Sequence, residues 1–310
     1  WIEIEGKQLD LRVSCVPTVH GERLTARLLD RAMDLLSLDR IEPDPANLAL
    51  LRDLLKRPNG IILSSGPTGS GKTTTMYALL MELDREHDNV FSIEDPVEYI
   101  LPGVSQIAVR PSRGVTFATA ARAVLRQDPD YLMIGEIRDA ETLGVAVQVA
   151  LTGHLVLTQV HAPTAPGALK RLLDMGLEPF LVNQSVVGVI SQRLVRRLCH
   201  ACKRPLRPDP TLMPPEALSL LQDGTQTFFG PGGCDACRGT GFRGRLPIQE
   251  ILVPDDAVRE AVVQKEVEAI RTAARKAGMR TLLEDGMRRA AEGITSVNEV
   301  LRVALTRPHQ

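Results

Sequence analysis

The run Gly66-Pro67-Thr68-Gly69-Ser70-Gly71-Lys72-Thr73-Thr74 carries the spacing G-x-x-x-x-G-K-T of a phosphate cradle. It follows the apolar run Ile61-Ile62-Leu63 and precedes a stretch that reads as the start of a helix. Glycines let the backbone turn tightly and bring a row of N–H groups against an anion with no Cβ in the way. The helix N-terminus adds its partial positive charge. Lys72 would reach the β- and γ-phosphates, and the Thr73 hydroxyl would sit on Mg²⁺. A glycine-rich turn with a chance lysine is the bland alternative. The strand before the loop and the helix after it, both demanded by the motif, count against it. A nucleoside triphosphate is the expected ligand.

Carboxylates follow two later apolar runs. Glu94, Asp95 and Glu98 close one, and Glu136 closes Tyr131-Leu132-Met133-Ile134-Gly135. In a parallel sheet the carboxyl ends of neighbouring strands converge beside such a loop. An acid there can organise the Mg²⁺ shell or orient the attacking water. Solvated loop acids are the alternative, weakest for Glu136 because it directly follows a buried apolar strand. Glu94, Asp95 and Glu98 cannot all hold one ion. His154 and His161 flank the apolar run 155–160. A histidine beside a strand is usually a satisfied surface or core residue. His161 falls at the sheet edge expected for Glu136, where it would sense a γ-phosphate.

Cys199-x-x-Cys202 and Cys234-x-x-Cys237 form a second, independent constellation. Each C-x-x-C sets two thiolates on one tight knuckle, and two knuckles make a closed tetrahedral Zn²⁺ site. The intervening residues 203–233 exceed the usual ribbon spacing, which lengthens the loop between knuckles. Four sulfurs leave no open position, so the site reads as structural. Disulfides are disfavoured, because an ATP-consuming enzyme sits in a reducing compartment. Cys15 reads as a small strand residue.

The elements that must position these groups follow from periodicity. Residues 1–33 alternate polar and apolar residues around a turn at His20-Gly21, as half-exposed antiparallel strands do. Three strands with no covering layer could barely stand alone. With Trp1 in place of an initiator methionine, they are expected to be the C-terminal part of a truncated N-terminal domain. Residues 34–45 carry Pro43 and Pro45 and read as a linker. Over 46–198, strands are expected at 61–65, 90–93, 131–134 and 155–160. Helices are expected at 72–85, 117–126, 140–151, 165–175 and 180–198. Short apolar strands between helices mean a parallel sheet covered on both faces. The fold class is α/β, with a RecA-like P-loop core. Residues 199–244 form the tetracysteine module, and 245–310 a C-terminal helical region. There Gly278 and Gly293 stop helices and Ser296-Val297-Asn298-Glu299 reads as a capping box.

The motifs together resemble a known family. Gly66–Thr73, Ile93-Glu94-Asp95-Pro96-Val97-Glu98-Tyr99, Leu125–Asp130, Gly135-Glu136-Ile137-Arg138-Asp139 and Thr152–Leu157 are similar, in order, to motifs of the secretion and type IV pilus assembly ATPases. They include the Walker A, Asp box, Walker B and His box of that family. The resemblance covers nearly the whole chain. The runs 171–180 and 188–199 are most like the type II secretion ATPase, general secretory pathway protein E. The pilus extension ATPase is a near relative. The resemblance implies Glu98 and Glu136 as the catalytic and Mg²⁺-organising acids, and His154 and His161 as paired His-box residues. It implies Arg27, and with it Arg12, as N-terminal arginines that approach the γ-phosphate of ATP when that domain closes. It implies a homohexamer at the cytoplasmic face of the bacterial inner membrane. There it would act on a membrane platform that pushes pseudopilin subunits, touching the membrane only through partners. The docking domain is expected to be missing. Thr158-Gln159-Val160-His161-Ala162-Pro163 departs from the family's Ser-Thr-Leu-His-Thr-Asn pattern.

A net charge of −1 and a lack of interleaved aromatic and basic residues count against a nucleic-acid translocase on the same core. Intact Lys72, Glu98 and Glu136 count against a non-catalytic nucleotide sensor. No apolar run approaches the roughly 18 residues of a membrane span.

Overall fold

The computed structural model describes residues 2–4, 7–30, 36–42, 44–221 and 227–305. Three N-terminal strands, β1 (Ile2–Ile4), β2 (Lys7–Thr18) and β3 (Gly21–Asp30), form an antiparallel sheet in that order. The side chains described there, those of residue 11 and residues 13–26, are all exposed. The sheet therefore buries neither face with them, as expected for strands without a covering layer.

Helices α1 (Leu38–Ile41) and α2 (Pro45–Leu55) follow. The segment expected as a free linker is docked: Leu36, Leu38, Glu42 and Asp44 are buried. Then come β4 (Gly60–Ser65), α3 (Lys72–Met81), β5 (Val90–Glu94), β6 (Val104–Ala108), α4 (Phe117–Val124), β7 (Tyr131–Ile134), α5 (Ala140–Leu151), β8 (Leu155–Val160), α6 (Ala165–Asp174) and α7 (Pro179–Ser185). Strand β9 (Val186–Leu198) leads into the cysteine module, which holds β10 (Arg204–Pro205), α8 (Pro215–Leu218) and β11 (Phe229–Gly230). Strand β12 (Phe242–Leu252) and helices α9 (Asp256–Val263), α10 (Val267–Lys276), α11 (Leu282–Ala291) and α12 (Val297–Ala304) complete the chain.

The central sheet runs β12-β9-β4-β8-β7-β5-β6. Every neighbouring pair is parallel except β12 with β9. Side chains alternate across it. Ile61 and Leu63 face a core built with α4–α6 and α9–α10, while Ile62 faces α2 and α3. Both faces are covered, so β4 is buried along its whole length.

The expected strands at 61–65, 90–93, 131–134 and 155–160 are present within a residue of their predicted ends, and β6 is an addition. The helix expected over 180–198 is a correction. Only 179–185 is helical, and 186–198 is β9, parallel to β4 and antiparallel to β12. Val186, Val187, Val189 and Ile190 are β-branched and fit a pleated, doubly covered position. Gly188 lets α2 close on the strand, since a Cβ there would lie 2.7 Å from a Leu54 methyl. The boundary expected at 244/245 falls inside β12, so the central sheet draws on residues assigned to the C-terminal region. Ser296 caps α12 by accepting from the Glu299 N–H, but the second half of the expected box is absent. The Glu299 carboxylate turns instead to Arg196 and Arg302. Burial would raise its pKa, but these guanidinium hydrogen bonds hold it at about 2.

A buried ionic cluster ties the segment before the core to α11. Glu42, 0% exposed, pairs with Arg289, 1% exposed. Asp285 accepts from the Gln249 N–H on edge strand β12, and Asp44 pairs with Arg280 and Arg288. Breaking such a buried pair from one side typically costs about 3–5 kcal/mol. The entry to the core is thereby fixed to its last third.

Candidate nucleotide site and cysteine centre

The loop between β4 and α3 has the shape that the glycine spacing demands. Gly66 has φ +148°, and a Cβ there would lie 2.5 Å from the Ser70 Oγ and 2.7 Å from the Gln192 carbonyl. Gly71, at φ +86°, is the residue from which α3 begins. Lys72 folds back so that its Nζ donates to the carbonyls of Gly66, at 2.9 Å, and Pro67, at 3.0 Å. Burial pushes the Lys72 pKa down, and Glu136 opposes that shift. Gln192 on β9 supports the loop from the neighbouring strand, donating to the Ser70 carbonyl at 2.8 Å. The buried Ser70 Oγ has no hydrogen-bond partner among the described residues.

The loop borders a cavity of about 490 Å³, within the range of small-ligand sites. Its lining includes Lys72, Thr73, Glu98, Glu136, Arg138 and His161. The carboxyl ends of β4, β5, β7 and β8 thus converge as parallel topology requires. Glu136 is 19% exposed, accepts from Arg138, and lies 3.5 Å from the His161 Nε2. The hydrogen bond to Glu136 raises the Arg138 pKa. Arg138 also stands 4.0 Å from Asp95, bridging the two acidic loops. Arg138 is a site residue that no sequence motif singles out, although it stands only two positions after Glu136. Gln192 was hidden within a stretch read as helix.

The donor set fits a magnesium–triphosphate ligand. The cradle at Gly66 is one that a Cβ would fill, the Ser70 hydroxyl lacks a partner among the described residues, and a cation faces carboxylates across the cavity.

His154 stands apart from this cavity. It precedes β8 and His161 follows it, so the length of the strand, roughly 20 Å, lies between them. The His154 Nδ1 contacts the Val149 carbonyl at 3.1 Å and the Thr152 Oγ1 at 3.3 Å, closing the end of α5. Arg12 and Arg27 are directly paired register positions of β2 and β3. Their side chains lie outside the described residues.

The four cysteines converge as their spacing predicts. Sγ–Sγ separations are 3.7 Å for Cys234–Cys237, 3.8 Å for Cys202–Cys237 and 3.9 Å for Cys199–Cys234. A tetrahedron with Zn–S bonds of 2.3 Å has edges of about 3.8 Å. The N–H groups of Cys234 and Gly241 donate to the Cys237 Sγ at 3.3 and 3.1 Å, which stabilises a thiolate there. The set fits zinc. It also joins two distant strands, because the Cys199 N–H donates to the Gly241 carbonyl at the mouth of the β9–β12 pair.

Fold and loop together define a P-loop α/β protein. Residues 1–302 match the family model described as "Type II/IV secretion system protein", and the chain belongs to that family. It is 49% identical to the type II secretion system protein HxcR of Pseudomonas aeruginosa, over 97% of this chain and 61% of that protein. It is 44% identical to the type II secretion system ATPase E of Vibrio cholerae, over 97% of this chain and 60% of that one. It is 45% identical to the type IV pilus assembly ATPase PilB of Thermus thermophilus, over 94% of this chain and 33% of PilB. The chain thus spans about three-fifths of the two secretion relatives and one-third of PilB. Among solved structures, the pilus retraction motor PilT with bound ADP superposes with TM-score 0.68 at 23% identity, over 94% of this chain and 73% of PilT. The Legionella pneumophila ATPase DotB gives 0.67 at 20%, over 97% of this chain and 74% of DotB. These two likenesses bear on the fold alone.

Proposed function

We propose that this chain carries the ATP-hydrolysing core of a type II secretion motor. The observation that carries the reading is the convergence of the phosphate loop, Glu136, His161 and Glu98 on one cavity. Residues 66–74 would cradle the phosphates, Lys72 would pair with the β- and γ-phosphates, and Thr73 would hold Mg²⁺. The metal would supply charge neutralisation on the phosphate oxygens. Glu98 and Glu136 would organise the Mg²⁺ shell and the attacking water, and His161, within reach of Glu136, would report on the γ-phosphate. Pairing Glu136 with Arg138 keeps a cation at hand where charge develops. Turnover of ATP by the full chain tests this. Glu136→Gln is expected to bind ATP within a few-fold of the parent and to lose turnover by about 10²-fold or more. Near-normal phosphate release in that variant would sink the assignment.

By its resemblance to the secretion ATPases the chain would work as a homohexamer on an inner-membrane platform, at the cytoplasmic face, with the membrane reached through partners. Among the described residues no helix is long and apolar enough to cross a membrane. The 45% identity to PilB keeps pilus extension as the second reading. A net charge of −1 speaks against nucleic acid as the load. The four thiols would hold a structural zinc, since no ligand position stays open. Arg27, and with it Arg12, would bring positive charge to the γ-phosphate when the N-terminal sheet closes over the core. Arg27→Ala is then expected to lower turnover by about tenfold or more while ATP affinity changes little. Unchanged turnover at matched oligomeric state would leave Arg27 a surface charge.

A further inference from the structure

Beneath the loop that follows β5 lies a buried polar hub. Glu94, 3% exposed, accepts from the Tyr77 hydroxyl, from the Ser92 Oγ at 2.6 Å and from the Gln106 Nε2 at 2.9 Å. Tyr77 is wholly buried on α3, and its hydroxyl also accepts from the Glu98 N–H at 3.1 Å. Gln106 on β6 donates to the Tyr99 carbonyl at 3.0 Å, and its Oε1 accepts from the Leu101 N–H at 2.7 Å. The Tyr77 and Tyr99 rings meet edge-on with centroids 5.8 Å apart. The backbone of loop 95–101 is thus held at Glu98, Tyr99 and Leu101 by two side chains that both end on Glu94.

Apolar packing would join α3 to β5 as well as this hub does, and a buried polar group is costly unless every partner is present. What the hub adds is direction. Tyr77 stands on the helix whose first residue is Lys72, so one rigid element carries both the phosphate-binding ammonium and the hydroxyl under Glu98. Burial, then Glu94, raise the Tyr77 pKa, so the hydroxyl keeps its proton for Glu94 and offers a lone pair to the Glu98 amide. Glu94 has its acceptor capacity engaged from three sides, which suits an anchor better than a metal ligand.

We propose that Tyr77 is a positioning residue whose hydroxyl, held by Glu94, fixes the Glu98 backbone and thereby aims the Glu98 carboxylate at the nucleotide bound by the same helix. The proposal rests on the reading of Glu98 as a catalytic acid. Tyr77→Phe keeps the ring and deletes the hydroxyl. In the full chain its turnover is expected to fall about tenfold, with ATP affinity within about twofold of the parent. Amide hydrogen exchange at Glu98 should quicken while the amides of α3 keep their protection. Glu94→Gln should behave alike, and the double variant should lose little more than the worse single, as members of one unit do. Turnover within twofold of the parent in Tyr77→Phe overturns the proposal, and so does lost turnover with exchange at Glu98 unchanged. Glu98→Gln, assayed beside them, separates the two readings. If it is as active as the parent, the catalytic reading falls and the aim with it. If it is inactive while Tyr77→Phe is normal, only the positioning role falls.

Discussion

Lys72→Ala is expected to abolish measurable ATP turnover, by about 10³-fold or more, and to weaken nucleotide binding by roughly 10–100-fold. Lys72 is buried at the first turn of α3, and its ammonium is held by the Gly66 and Pro67 carbonyls at the wall of the cavity. A charge-assisted hydrogen bond is worth about 1.5–3 kcal/mol in binding. The same ammonium gains more as charge develops on the transferring phosphoryl group, where one preorganised donor is worth about 10²–10³ in rate. The variant should fold, because alanine is a good helix former at that position and the loop's glycines are untouched. Nucleotide titration and phosphate release measured on one preparation check both halves. A variant retaining more than a tenth of parental turnover would overturn the role given to Lys72.

Cys202→Ser is expected to cost the chain its zinc and to open the cysteine module. Freshly purified parent should contain one zinc per chain. The variant should contain less than half of one, with residues 203–233 becoming sensitive to protease. The strands β10 and β11 are two residues each, so apart from the metal the loop is held mainly by Met213, Ala217 and Phe228 packing against α11 and α12. A structural zinc contributes roughly 10 kcal/mol or more of apparent binding energy, enough to make the module depend on it. The sulfurs stand at 3.7–3.9 Å separations that suit a tetrahedral ion, and without the metal thiolates this close would repel one another and drive the module open. Nucleotide binding should survive, since the cavity lining contains none of the four cysteines. Elemental analysis of parent and variant checks the metal. A parent with no zinc, or a variant with the full amount, would refute the assignment.

Much of both sites was legible in the sequence, for a local reason. The loop 66–74 is a single stretch of backbone whose glycines, φ values and following helix are set by neighbours in the chain. Each C-x-x-C is likewise a local knuckle, and only the meeting of the two knuckles needs the fold. The strand pattern gave the parallel sheet, and with it the edge at which Glu136 and His161 meet. Sequence spacing is silent where partners are distant. Residues 186–198 have short-range apolar spacing that suits helix or strand, and pairing with β4 and β12 decided for strand. The stretch around Pro43 looks like a linker, but Glu42 finds Arg289 on a helix almost at the other end of the chain. Tyr77 reads as one more core aromatic. Only the crossing of α3 over β5 brings its hydroxyl between Glu94 and the Glu98 amide. Local chemistry is written in contiguous residues because backbone torsions and short spacings determine it. The aim of a catalytic side chain depends on packing between elements far apart in sequence, and no local pattern records that.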